Sequence, residues 1–281
     1  MADIKITSFA GGITVSGCVP FDAAKTFDCG QAFLIEADEN GELSGTACGK
    51  NLRIRQSSPD SFDMLGTTEE EFASLWRNYL DLDADYTSAN EAILSCTAES
   101  SRDVMKSAIE CGSGIRILRQ DPWETLVSFI VSQNNNIPRI RKILRTLYSQ
   151  CGRFPTAEDL IAIGENGLYE LKTGFRAKYL SDAARKYLSG DVDFDAIIHS
   201  DDYSFCTSEL EKICGVGPKV SACVLLFGFH KTDAFPVDVW MKKVIDRHFG
   251  GVLDTKAYGT HAGLAQQYLF YYERWVNSAA Q

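Results

Sequence analysis

The segment Leu210-Glu-Lys-Ile-Cys-Gly-Val-Gly-Pro-Lys-Val-Ser-Ala-Cys223 constrains the fold more tightly than any other stretch of the chain. A helical run ends at Gly215-Val216-Gly217, and Pro218 restarts a helix in its first turn, where a missing N–H is no loss. Two glycines let the backbone reverse sharply and bring N–H groups close to a ligand. At a helix N-terminus such groups bind anions, and phosphate fits best. The pattern predicts a helix-hairpin-helix, which can hold DNA phosphate without reading sequence. The same turn also joins helices that bind nothing. Spacing excludes two competitors. A P-loop needs GxxxxGK[ST], and a dinucleotide loop needs a sixth-position glycine where this chain has Val220.

Around that hairpin the pattern is helical almost throughout from about Asn90 onward. Predicted helices are Trp123–Gln133, Ile137–Tyr148, Ala157–Ile163, Asp182–Leu188, Ser208–Cys214, Pro218–Phe229, Val239–Phe249 and Gly263–Trp275. Ahead of them lie β-prone runs within Ile4–Val15 and strands at Gln31–Glu36, Leu43–Cys48 and Leu52–Gln56. Asn40-Gly41 supplies a hairpin turn. A capped helix starts at Thr67 and runs through Trp76 to Leu80. At roughly 100–200 residues per domain, 281 residues suggest two domains packed without a flexible linker.

The net charge of −10 argues at first against nucleic acid. Its distribution reverses the argument: residues 1–110 hold 8 basic and 19 acidic side chains, and the remainder holds 20 and 19. The C-terminal part can therefore present a basic face. The 9 cysteines are odd in number and none are paired as CxxC, so reduced thiols are expected rather than disulfides, zinc or an iron–sulfur cluster. No apolar run reaches the ~18 residues of a membrane span. Val15-Ser16-Gly17-Cys18 has the look of a lipoprotein box, but no basic end or apolar core precedes it, so a strand is expected there and the location is cytoplasm or nucleoid.

Lys219 and Cys223, four apart, share a helix face. In the first turn Lys219 opposes the helix dipole, which disfavours its charge, and a neutral amine is a nucleophile able to form a Schiff base. A phosphate contact suits the same position. Ala234-Phe-Pro-Val-Asp-Val-Trp240 follows. Asp238 precedes a helical run and can be its N-cap, or a carboxylate facing positive charge that develops on a sugar.

The Gly215–Cys223 and Phe235–Trp240 segments resemble the helix-hairpin-helix, Gly-Pro-Asp superfamily of base-excision DNA glycosylases. Phe27-Asp-Cys-Gly-Gln-Ala-Phe33, Gln120–Asn136 and Gly174-Phe-Arg-Ala-Lys-Tyr179 narrow the likeness to the 8-oxoguanine DNA glycosylase/AP lyase family. The resemblance spans nearly the whole chain. It implies an α+β fold, with an N-terminal antiparallel β domain packed on two mainly helical subdomains. The division falls at 1–110 and 111–281, with part of the C-terminal helix returning to the first domain.

The resemblance also implies roles. Lys219 is the nucleophile and Schiff-base lysine, and Asp238 the carboxylate that supports the cationic transition state. Gly30 offers its carbonyl to the lesion, Cys223 and Phe270 sandwich the flipped base, and Gln266 meets its Watson–Crick edge. Asn134, Arg139 and Arg176 hold the cytosine opposite the lesion, and Phe175 fills the vacated stack. Gly215, Val216 and Gly217 meet DNA phosphate. Its partner is double-stranded DNA containing 8-oxoguanine, bound by a monomer. No organic cofactor or catalytic metal is expected, and the hairpin carbonyls leave room for a monovalent cation.

Two positions depart from the best-known family members. Trp240 stands where they carry His near a phosphate, and Phe175 replaces Tyr. Glu273 aligns with an acidic partner of the missing His. Two other readings compete. A glycosylase for alkylated bases usually lacks the lysine, and a non-catalytic binder of damaged DNA would not need both Lys219 and Asp238.

Overall fold

The computed structural model describes residues 4–18 and 20–279, with side chains described as far as Arg274. The strands β1 (Lys5–Phe9), β2 (Gly12–Ser16), β3 (Ile35–Ala37), β4 (Leu43–Ala47), β5 (Lys50–Ser58) and β6 (Ser61–Leu65) form one six-stranded sheet in the order β1-β2-β6-β5-β4-β3. Neighbours pair antiparallel, with Val15 opposite Phe62 and Ile54 opposite Met64. Period-two alternation places Ile13, Val15, Leu52, Ile54, Phe62 and Met64 on a buried face. The lipoprotein-like stretch runs off the end of β2, and its Cys18 is fully buried.

One predicted strand is displaced. Residues 31–34 do not pair, and β3 begins only at Ile35. The reason is the side chain of Gln31, 1% exposed. Its Nε2 donates to the carbonyls of Thr26 and Arg116 at 2.9 and 2.7 Å, and its Oε1 accepts from the Leu118 N–H at 2.9 Å. A carboxamide with these partners holds irregular backbone in place of a ladder.

The helices are α1 (Ala23–Asp28), α2 (Glu69–Glu71), α3 (Arg77–Tyr79), α4 (Tyr86–Cys96), α5 (Arg102–Cys111), α6 (Pro122–Ser132), α7 (Ile137–Cys151), α8 (Ala157–Leu168), α9 (Arg176–Ser189), α10 (Phe194–His199), α11 (Tyr203–Glu211), α12 (Pro218–Phe227), α13 (Val239–His248) and α14 (Ala262–Ala279). A π-helical turn at Phe72–Trp76 joins α2 to α3. No helix among the described residues is long and apolar enough to cross a membrane.

The chain forms two compact units: residues 1–46, 51–119 and 231–281, and residues 47–50 and 120–230. Packing thus does not follow a single cut at 110. In the first unit α14 lies along α5 and α13, burying Leu264, Tyr268 and Leu269, so α13 and α14 fall in the unit that holds the sheet. Burying each such side chain contributes roughly 1.5–3 kcal/mol. In the second unit α6 packs on α7, α9 and α12, and α8 on α9. Phe129 of α6 stacks on Phe227 of α12, with centroids 5.6 Å apart. Asp121, Asn136 and Thr156 cap α6, α7 and α8 through their side chains, and a proline sits in the first turn of α6 and of α7.

Candidate active site

In the second unit the hairpin forms as its glycines dictate. α11 ends at Glu211, the Val216 N–H donates to the Ile213 carbonyl at 3.0 Å, and Gly217 caps α12. Gly215 has φ +79°, and a Cβ there would stand 2.4 Å from the Tyr179 ring, so no other residue fits. Gly217 is different. Its φ is −120° and nothing lies within 4 Å of where its Cβ would be. The fold does not need a glycine at 217, whereas close approach of a ligand to the N-terminus of α12 does. Two bonds brace the turn: Cys214 N–H to Asp182 Oδ2 at 2.8 Å, and Ser221 Oγ to Glu211 Oε1 at 3.1 Å.

Lys219 lies in the first turn of α12, half-buried, with Nζ 5.0 Å from the Phe129 ring centroid. The aromatic face anchors the amine beside apolar surface, where it meets less water than a free lysine. Cys223, one turn on, is 4% exposed.

The loop after α6 carries three asparagines with separate tasks. Asn134 is exposed with φ +46°, a conformation asparagine tolerates well. Asn135 donates to the Val131 carbonyl at 3.1 Å, and Asn136 Oδ1 accepts the Arg139 N–H at 3.0 Å. Arg139 itself is exposed. Phe175 is 50% exposed, with its edge on Tyr179.

Arg176 is placed otherwise than a free base-reading arginine. It is 2% exposed, and its guanidinium donates to the carbonyls of Gln133, Asn134 and Thr173. It also lies 4.4 Å from the Phe175 ring centroid. Burial first, and then the charge of Arg139, pulls its pKa below the ordinary arginine value. Arg176 thus holds the loop that carries Asn134 and backs the exposed ring of Phe175.

Glu124 of α6 accepts the Cys48 N–H at 3.3 Å. Burial, reinforced by the neighbouring Asp121 carboxylate, pushes its pKa up to about 7.

In the first unit Asp238 is the N-cap of α13: Oδ1 accepts the Met241 N–H at 2.8 Å. Capping engages one oxygen and leaves Oδ2 for another partner. Val239 and Trp240 beyond it are 69% and 39% exposed, and Lys243 Nζ lies 4.7 Å from the Trp240 ring centroid. Glu273 is not left without its partner by the change to Trp240. It is 1% exposed and pairs with Arg247 at 2.7 Å and, at 3.7 Å, with His248, at the far end of α13.

Gly30 and Phe270 meet. With φ +81° at Gly30, a Cβ there would lie 3.4 Å from Phe270 Cε1. The positive φ, not the space, calls for glycine here, since a Cβ would make only ordinary contact with the ring edge. Gln266, one turn before Phe270 on α14, is 4% exposed. Sequence reasoning missed three residues around this group. Gln31 fixes the loop that carries Gly30. Arg274 lies 5.7 Å from the Phe270 centroid and donates to the Asp28 carbonyl. Gln267 donates to Gln266. For Arg274 the i+4 spacing from Phe270 was a usable signal. For the two glutamines, composition and periodicity offered none.

The residues that the resemblance singles out divide between the units: Gly30, Asp238, Gln266 and Phe270 belong to the first, and the hairpin, Lys219, Cys223, Asn134, Arg139, Phe175 and Arg176 to the second.

Residues 16–126 match the family model of the 8-oxoguanine DNA glycosylase N-terminal domain, and residues 127–258 that of the HhH-GPD superfamily base excision DNA repair proteins. The chain is 39% identical over 165 residues to the N-glycosylase/DNA lyase of Saccharomyces cerevisiae, a match that spans 48% of this chain and 42% of the yeast protein. It is 30% identical over 248 residues to the "Probable N-glycosylase/DNA lyase" of Methanothermobacter thermautotrophicus, covering 74% of this chain and 75% of that protein. Among solved structures, the Clostridium acetobutylicum 8-oxoguanine glycosylase/lyase, in complex with double-stranded DNA containing cytosine opposite 8-oxoguanine, superposes with a TM-score of 0.89. Identity is 35%, covering 99% of this chain and 100% of that one. A fold shared over the full length, with both family models in order along it, means that the chain belongs to the 8-oxoguanine DNA glycosylase family of the helix-hairpin-helix, Gly-Pro-Asp superfamily.

Proposed function

We infer that this protein is a bifunctional DNA glycosylase and AP lyase that excises 8-oxoguanine opposite cytosine from duplex DNA and then cleaves the strand. The observation that carries the reading is Lys219 in the first turn of α12, directly beyond a hairpin whose Gly217 leaves the helix N-terminus open. The hairpin N–H groups take a backbone phosphate. The lesion nucleotide is flipped out, at a cost of a few kcal/mol of unstacking.

The Lys219 amine attacks the anomeric carbon. The bond from that carbon to N9 of the base breaks, and the base leaves with the electron pair and takes up a proton. The Asp238 carboxylate stabilises the positive charge that develops on the sugar. The attached nitrogen gives up one proton, the C1′–O4′ bond breaks and O4′ takes up a proton, giving a protonated Schiff base that keeps one hydrogen on nitrogen. That cation acts as the electron sink: C2′ loses a proton, the 3′ phosphate leaves, and water later frees the lysine. The amine supplies both nucleophile and sink, so the scheme calls for no organic cofactor or catalytic metal, and one monomer carries all its groups.

8-Oxoguanine has an N–H at N7 where guanine has an acceptor. The Gly30 carbonyl accepts from it, and one backbone acceptor thereby discriminates the two bases. Phe270 and Cys223 enclose the base, and Gln266 meets its Watson–Crick edge. Opposite the lesion, exposed Arg139 and Asn134 satisfy the cytosine, Phe175 fills the gap, and Arg176 holds their loop.

Borohydride trapping on an 8-oxoguanine:cytosine duplex tests this reading. Wild type forms a covalent adduct and Lys219→Gln forms none. Tight lesion binding with no adduct from either would make the protein a non-catalytic damage binder. An adduct from both would assign the nucleophile elsewhere.

A further inference from the structure

α14 carries two consecutive carboxamides, Gln266 and Gln267, which are 4% and 3% exposed. Side chains of adjacent helical residues diverge by about 100° and do not ordinarily face each other. Here they do: Gln267 Nε2 donates to Gln266 Oε1 at 2.8 Å. Gln267 engages through its donor end alone, because its own Oε1 is buried and accepts no hydrogen bond among the described residues.

A carboxamide has a donor end and an acceptor end of nearly the same shape. Rotating the Gln266 amide by half a turn would set its NH2 against the NH2 of Gln267. The bond couples the two amides, so the end of Gln266 that faces Gln267 reverses only if both turn together. It uses one lone pair of Oε1 and leaves the second, which suits a base edge that donates. A guanine-type Watson–Crick edge presents donors at N1 and N2. An adenine-type edge presents an acceptor at N1 and its donor at N6.

We propose that Gln267 is a positioning residue that fixes the orientation of the Gln266 amide and so makes the site selective for a guanine-type edge. The proposal rests on the reading of Gln266 as the residue that meets that edge.

The test compares wild type, Gln267→Leu and Gln267→Glu on three duplexes, each with cytosine opposite the target: 8-oxoguanine, 8-oxoadenine and a preformed abasic site. Leucine removes the donor at similar size. Glutamate, when ionised, only accepts, and so favours the reversed Gln266 amide. Loss or reversal of one hydrogen bond predicts about a tenfold drop in 8-oxoguanine over 8-oxoadenine selectivity, carried by KM with kcat little changed. Abasic-site cleavage, which involves no base, stays within about twofold. The leucine variant carries the test alone if the glutamate variant fails to fold. Selectivity unchanged in the leucine variant overturns the proposal. An equal loss on all three duplexes overturns it too, since that marks a merely structural role. Wild type inactive on 8-oxoguanine would instead refute the underlying functional reading.

Discussion

Two buried arginines, one in each unit, invite comparison. Arg116 and Arg176 are each 2% exposed. Both donate to backbone carbonyls: Arg116 to Pro20, Asp81 and Ala84, and Arg176 to Gln133, Asn134 and Thr173. Each guanidinium also lies over an aromatic ring, Tyr86 at 4.2 Å and Phe175 at 4.4 Å. The device is the same, since five donors in a planar fork suit irregular chain whose carbonyls have no ladder partner. The rings differ. Tyr86 is 6% exposed, and its hydroxyl donates to Asp81 Oδ2 and accepts the Ile117 N–H. Phe175 is half exposed. One arginine closes a core, whereas the other supports a surface kept open. A buried charge does not by itself mark a reading residue, and what it holds in place decides its role.

The comparison can be broken first at Arg116. Arg116→Met leaves three backbone carbonyls without their donor, and we expect a loss of about 3–5 kcal/mol, read from the urea midpoint. Arg176→Met should cost less stability, about 2–3 kcal/mol, because the carbonyls of Gln133 and Asn134 lie in a loop that water can reach. It should weaken binding to lesion-containing duplex more than Arg116→Met does at matched folded fraction. Equal binding by the two variants would erase the distinction.

Phe175→Ala sharpens it further. Half exposed, the ring should contribute little to stability, whereas its removal should weaken duplex binding by about 1–2 kcal/mol through lost stacking. A fall in Tm without a change in Kd would make Phe175 a packing residue.

The smallest effect is a pH dependence on α6, the helix that leads into the loop held by Arg176. The Glu124 pKa is raised to about 7, so the folded state favours the protonated form. Its contribution is fully present below the unfolded carboxyl value near 4.5 and is lost as pH rises through 7. Glu124→Gln, always neutral, should therefore stabilise the fold at pH 8 by something of order 1 kcal/mol after solvent relaxation, read as a higher Tm, and change little near pH 4.5. A lower Tm at pH 8 would show that the carboxylate form is the one the fold prefers.

Much of this was legible beforehand. The order of sheet and helices follows from hydrophobic period, and α6 and α7 begin within a residue of expectation because a capping side chain and a proline announce them. The hairpin was written in Gly215, Gly217 and Pro218. Gly30 was singled out, as was Phe270, though only the structure places one against the other. The strand at Gln31 failed for a nonlocal reason: its partners Arg116 and Leu118 are some 85 residues away in the chain. The carbonyl contacts of Arg176 were equally illegible, since an arginine beside an exposed aromatic has the same local pattern whatever its donors face.

The sequence alone determined what depends on neighbours in the chain: helix starts, the tight turn, and through five ordered motifs the family. Tertiary structure alone decided which donors are already taken, which amide end Gln266 turns to Gln267, what Glu273 pairs with, and that α13 and α14 fall in one compact unit with the N-terminal sheet. The physical reason is that a hydrogen bond is exclusive and directional. A residue type states what a group can bind, and only the folded backbone brings one partner within 3 Å and leaves the others out of reach.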